Sequence, residues 1–191
     1  MVTEEMTAEE CRKALSTEAS GRLALVRNGQ PYVVPVSFVV DGHYAYLRSI
    51  SNQKIEWMRP KPRVCLEVDG TNTENDCSIV VLGRFEELRN TKEYRPQRLR
   101  AQRLLRHHFP WWQRFLPEVA DRAVRQDVSQ VFCRIGMGHM MGRRGGAASD
   151  EASPVRQDVS QVFYRICSQY LLDDDARPPP DDESWMWSRT S

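Results

Sequence analysis

The run Tyr32-Val33-Val34-Pro35-Val36-Ser37-Phe38-Val39-Val40 is β-branched or aromatic almost throughout, yet it carries a proline at its centre. Alternation puts Tyr32, Val34, Val36, Phe38 and Val40 on one wholly apolar face, and Val33, Pro35, Ser37 and Val39 on the other. Proline has no N–H to give to a ladder, so a strand of this kind is not hydrogen-bonded to two neighbours along its whole length. It is an edge, a bulge, or a place where something other than a strand meets the backbone. Asn28-Gly29 precedes it and Asp41-Gly42 comes after it, both strong two-residue hairpin signals. Gly21 to Arg27, Gln30 to Val40 and His43 to Ser49 therefore read as an antiparallel meander of three strands.

The rest of the chain supplies more short strands between helices. Met6-Thr7-Ala8-Glu9-Glu10-Cys11 is a helix start: Thr7 caps, Glu10 reaches back, and Met6 with Cys11 has the spacing of a hydrophobic staple, with the helix ending near Leu15 or Thr17. Ser51 to Met58 is a short helix stopped by Pro60, and Lys92 to His108 is a longer one stopped by Pro110. Pro62 to Asp69, Cys77 to Leu88 and Val128 to about Met140 are strands, with Thr71 to Asp76 a polar loop and Gly83 marking a bulge or bend. Pro117 to Arg125 is a short helix or loop. The fold expected is mainly β with flanking helices, its six antiparallel strands closing into a small barrel because closure removes sheet edges.

One segment is written twice. Val124-Arg125-Gln126-Asp127-Val128-Ser129-Gln130-Val131-Phe132 recurs unchanged at Val155 to Phe163, and Arg134-Ile135 is matched by Arg165-Ile166. A barrel has one slot for its last strand, and we assign it to the first copy, since the second runs into Asp173-Asp174-Asp175. The domain is thus expected over residues 1–146. Residues 147–191 hold the duplicated strand-like segment (155–166) and an acidic, proline-rich tail of disordered composition.

Charge and motifs exclude several function classes. The 27 Lys and Arg balance 26 Asp and Glu, which is not the surface of a protein that coats nucleic acid. No window is apolar enough to span a membrane, and the first residues lack a secretory h-region. The five cysteines (Cys11, Cys65, Cys77, Cys133, Cys167) form no C-x-x-C pair, so a cytoplasmic protein with reduced thiols is expected. His107 and His108 are adjacent on a helix and cannot both face one metal, so no metal site is assigned. The basic residues between Lys92 and Arg106 fall all around their helix and read as a solvated face, with nucleic-acid binding the weaker alternative. Arg48-Ser49-Ile50-Ser51-Asn52-Gln53-Lys54, between a strand end and a helix start, gathers two cations and hydroxyls suited to an anion.

Taken in order, Gly21-Arg22-Leu23-Ala24, then Gly29 to Phe38, Tyr46-Leu47-Arg48-Ser49, Lys54, Met58 to Cys65, Ser78 to Arg84 and Val131 to Arg144 resemble the pyridoxamine 5′-phosphate oxidase-related flavoproteins. The branch resembled is the one that includes the NimA-like nitroimidazole-resistance proteins. The resemblance implies an FMN-binding split β-barrel, a homodimer with flavin at the interface, and oxidoreductase activity on a small molecule. It places Pro35, Val36, Ser37 and Phe38 along the isoalloxazine and gives Arg48, Ser49 and Lys54 the phosphate; no protein acid or base is named as catalytic. Arg48 stands where many NimA-like members carry His. The C-terminal substrate signature of true pyridoxamine-phosphate oxidases is not visible, so that activity is not expected. The competing function is a non-catalytic flavin-binding or sensing protein.

Overall fold

In the computed structural model, residues 3–49, 52–72, 75–109, 130–145 and 170–172 are described. Residues 117–125, the start of the first duplicated copy, the second copy and the acidic tail lie outside them. The elements, in chain order, are β1 (Thr3–Met6), α1 (Ala8–Thr17), β2 (Ser20–Arg27), β3 (Gln30–Asp41), β4 (Tyr44–Ser49), α2 (Asn52–Met58), β5 (Arg63–Asn72), β6 (Asn75–Glu87), α3 (Arg95–His108) and β7 (Val131–Gly145).

All pairings are antiparallel, in the order β1-β7-β4-β3-β2-β5-β6, and β6 returns to β7. Six strands therefore close into the barrel, and β7 is the strand that closes it. One edge of β7 pairs with β6 from Cys133 to Arg144. Its other edge pairs with β4 over Val131 to Gly136 and with β1 over Gly142 to Gly145. The seventh strand, β1, is an addition to the six read from the sequence. Thr3-Glu4-Glu5-Met6 carries no strand-like alternation; its register sets Glu4 and Glu5 opposite Arg144 and Arg143, and Glu5 lies 3.7 Å from Arg143. Residues 71–72 and 75–76, expected as loop, extend β5 and β6 instead.

Inward-facing side chains, among them Leu25, Phe38, Leu66, Ile79 and Ile135, fill the barrel. A second apolar layer lies outside it, where Ala101, Leu105 and Phe109 at the end of α3 pack on Val39, Tyr46 and Phe132. The first hairpin turns on Asn28 and Gly29, both at positive φ (51° and 76°), which is why this dipeptide marks it. The second is centred on Gly42 and His43 between paired Asp41 and Tyr44, one residue later than the sequence suggested. The irregularity near Gly83 is real, but the extra residue is Gly138 on the facing strand. Gly83 itself is required by closeness: a Cβ there would lie 2.5 Å from Ile135 Cγ2 and 2.8 Å from the Gly136 carbonyl.

At the start of α1 the expected capping box is present. Glu10 accepts from the Thr7 amide (2.8 Å) and hydroxyl (2.9 Å), while Thr7 Oγ1 accepts from the Glu10 amide at 3.3 Å. Arg144 of β7 donates to the other oxygen of Glu10 at 2.6 Å, tying the helix to the closing strand. The Thr7 amide first, and Arg144 after it, hold the Glu10 carboxyl at about 2. A depressed carboxyl adds stability above its open-chain value of 4.5 and loses it as pH falls from there towards 2. Glu10→Gln should accordingly flatten the acid limb of the Tm–pH curve in that window, leaving the dependence above about pH 5 unchanged. An unaltered acid limb in thermal melts would remove the assignment.

Candidate functional site

The split in the barrel comes from β3 outrunning β4. Their pairing covers Phe38 to Asp41 only, with Phe38 opposite Leu47, whereas β3 stays paired with β2 from Gln30 to Ser37. Hydrogen-bonding direction alternates along β3. The Phe38 amide donates to Ala19 O (3.0 Å) on the β2 side, so the backbone nitrogens of Ser37 and Pro35 face the side that β4 has left. The missing proline donor therefore costs no ladder hydrogen bond. It sits on the open edge of the split.

The outer face of the barrel beside this opening is partly covered by α3, and between them lies a cleft of about 940 Å³. Pro35, Val36 and Ser37 line one part of it, and Arg48, Ser49 and Lys54 another. Six of the seven residues expected at a site are thus brought together. Phe38 is the exception: its side chain is fully buried in the barrel interior, behind the cleft wall.

Local packing explains how the cations are held. Arg48 and Ser49 end β4 opposite Phe132 and Val131. Burial lowers the pKa of the half-buried Arg48 guanidinium, a desolvation that a bound anion would offset. Lys54 rides on α2, which is pinned by Ile55 and Met58 in the core. Trp57 fixes the same helix from outside, with Tyr32 edge-on at 5.1 Å and the Arg27 guanidinium 4.4 Å over its ring. The helix is only seven residues long, so the side-chain cations rather than its dipole carry the anion chemistry.

Several cleft residues escaped the sequence reading. Arg22 donates to Glu67 at 2.8 Å and to Asp69 at 2.6 Å, and Ser78 donates to Asp69 at 2.9 Å. The bond to the buried Glu67 raises the Arg22 pKa, and this one guanidinium serves both acids of the wall. Gly21, beside it, lets β2 approach β5, since a Cβ would sit 2.5 Å from Glu67 O. From α3 come Arg98, Gln102, Leu105 and Arg106, and from its C-cap Phe109, which with Phe132 make the facing wall. Their spacing of 98, 102, 105, 106 and 109 is one helical stripe, so two arginines of the supposed solvated face look into the cleft. That stripe was the available signal; it is hidden when all the basic residues of the helix are weighed together. Among the described residues, no group of three or more His, Cys, Asp or Glu side chains could hold a metal ion. None of the described helices is long and apolar enough to cross a membrane.

Such a site offers cations and a hydroxyl, apolar side chains, and a backbone edge of β3 that β4 leaves unpaired. An uncharacterized protein of Rhizobium meliloti (strain 1021) is 32% identical over 139 residues, covering 72% of this chain and 92% of its own. The crystal structure of a FAD-binding protein from Mesorhizobium loti is similar at 35% identity and TM-score 0.62, covering 76% of this chain and 100% of that one. A candidate 5-nitroimidazole antibiotic resistance protein of Bacteroides thetaiotaomicron shares the fold at 16% identity and TM-score 0.54, over 75% of this chain and 89% of its own. The family description pyridoxamine 5′-phosphate oxidase matches residues 7–144. With most of its length matched in this way, and a split barrel to go with it, the chain belongs to the pyridoxamine 5′-phosphate oxidase family.

Proposed function

We propose that the cleft binds a flavin nucleotide and that the protein is a flavin-dependent oxidoreductase acting on a small molecule. The observation that carries this reading is the convergence of the open β3 edge at Pro35 to Ser37 with Arg48, Ser49 and Lys54 on one cleft. Flavin affinity in the relative from Mesorhizobium loti, at 35% identity, supports it. A bound flavin supplies hydride and electron transfer, and the chain supplies binding, orientation and exclusion of water. Arg48 and Lys54 give charge-assisted hydrogen bonds to a phosphate, with the Ser49 hydroxyl beside them. Pro35 and Ser37 present backbone to the edge of a polar ring, and Leu105, Phe109 and Phe132 close an apolar wall. FMN is the smallest flavin that carries the phosphate.

A homodimer is part of the proposal. Tyr32 and Val33, beside the open edge, are 47% and 36% exposed, an apolar surface that a second copy would cover. The thiols Cys65, Cys77 and Cys133 suit the reducing cytoplasm.

Lys54→Ala tests the phosphate assignment. Loss of a charged hydrogen bond worth about 1.5–3 kcal/mol should weaken FMN by about tenfold to a hundredfold and leave riboflavin, which has no phosphate, nearly unchanged. Equal losses for both ligands in a fluorescence titration would reject it. Reduction of the bound flavin by NADH or NADPH, followed by turnover with a nitroaromatic acceptor, separates an enzyme from a flavin carrier.

A further inference from the structure

We propose that the outward side of α3 is a docking surface for the acidic, tryptophan-bearing end of this same chain, residues 173–187. The docked segment keeps other polyanions off an arginine face that the cleft does not use. Arg95, Leu99, Arg103 and His107 are spaced by four and stand on one side of the helix. All four are exposed, and none of them lines the cleft. The helix carries five arginines and no acid, so its positive charge is not answered along its own length.

Its surroundings answer only part of that charge. Arg98 donates to Leu88 O at 3.1 Å, and Arg100 pairs with Asp41. The other acids nearby are taken elsewhere, Glu86 by Arg134 and Glu87 by Arg59. Among the described residues, the side chains of Arg95 and Arg103 have no carboxylate partner. Between them along the helix Leu99 is 52% exposed. A surface of this kind suits a ligand that brings carboxylates and a large ring together, since an aromatic face takes both leucine and guanidinium.

The chain itself carries that ligand. Residues 173–187 hold six acids, Asp173-Asp174-Asp175 and Asp181-Asp182-Glu183, against the single Arg177, and end in Trp185-Met186-Trp187. The tether stands just before them. Tyr170 lies against the Arg63 guanidinium at 5.5 Å, its hydroxyl donates to Gly83 O at 3.5 Å, and Leu171 is buried. From Gly83, β6 runs on to Glu87, and the next residue, Leu88, is the one to which Arg98 donates. That is about 17 Å of strand. The stretch from Leu172 to Asp181 can span roughly 30 Å, so the second acidic run reaches α3 from its anchor. Exposed ion pairs are individually weak and screened by salt, but a tether this short holds the acids at about millimolar effective concentration.

The test uses the full chain with a benzoylphenylalanine photocross-linker in place of Leu99. Irradiation should give an adduct of single-chain mass whose tryptic map joins α3 to the peptide holding Trp185 and Trp187. Its yield should fall at least about fivefold in about 0.5 M sodium chloride, and by as much when Asp181→Asn, Asp182→Asn and Glu183→Gln are combined. Retention on heparin gives a second reading. Those three substitutions should delay elution, and adding Arg95→Glu and Arg103→Glu should abolish the delay. In the wild-type chain the same two arginine changes should alter elution little, with circular dichroism melts unchanged because both positions are exposed. No adduct with the tail peptide, an adduct of two-chain mass, or a yield indifferent to salt would overturn the proposal. So would strictly additive effects in the heparin series, which would show the arginine face open in the wild type.

Discussion

Phe38→Ala should destabilise the protein by about 3–5 kcal/mol and lower its Tm by roughly 10–25 °C, while the protein that remains folded keeps its flavin affinity within a few fold. Phe38 is fully buried among the inward-facing side chains of the barrel. Truncation there leaves a cavity that surrounding strands, tied into a closed ladder, cannot collapse to fill. Against a total stability of about 5–15 kcal/mol for a domain, the loss is a large fraction. Phe38→Leu, which keeps most of the apolar volume, should lose far less. Thermal and denaturant melts measure both. A Phe38→Ala protein as stable as the parent but unable to hold flavin would return this side chain to the cleft.

Phe38 also marks where two kinds of sequence argument part. Alternation along β3 groups Phe38 with Val34, Val36 and Val40 on the apolar face, and the structure puts that face inward. The family resemblance instead runs the backbone of four consecutive residues along a ring, while their side chains alternate between the two faces of the strand. Only Pro35, Val36 and Ser37 reach the cleft, and Val36 does so half-buried, from the inner face. The turns and the capping box were legible because local geometry alone decides them: Asn28-Gly29 needs positive φ, and Thr7 and Glu10 are three residues apart. Arg48, Ser49 and Lys54 were legible for the same reason, being close in sequence. The Arg22–Glu67–Asp69 cluster was not, because it joins residues 45 and 47 positions apart through the β2–β5 register. Nor was β1, whose pairing rests on charge opposite charge and not on hydrophobic alternation.

Deleting residues 131–145 should abolish folding altogether, whereas a chain ending after Gly146 should melt cooperatively. The closing strand is Val131–Gly145, which continues from the first copy of the duplicated segment. The second copy repeats the opening residues of that strand but not its later ones. At the offset of 31 that aligns the copies (155 − 124), Gly142 is matched by Asp173 and Gly138 by Gln169. Gly142 packs beneath α1, where even a Cβ would lie 2.6 Å from Cys11 Sγ and 3.1 Å from Met6 Sδ. An aspartate in that place would bury a charge among sulfur atoms, a penalty of several kcal/mol. Gly138, whose Cβ would come within 3.1 Å of Leu82 O, sits at the bulge that lets β7 keep register with β6. Both glycines are beyond the duplicated stretch, so the second copy lacks the part that docks. Among the described residues, the shorter chain loses Tyr170, which stacks with Arg63 at 5.5 Å, and the buried Leu171. That should lower stability by about 2–3 kcal/mol without opening the barrel. Size-exclusion chromatography and thermal melts of the two deletions decide the matter. A cooperative melt without residues 131–145, alongside an insoluble chain ending after Gly146, would give the closing position to the second copy.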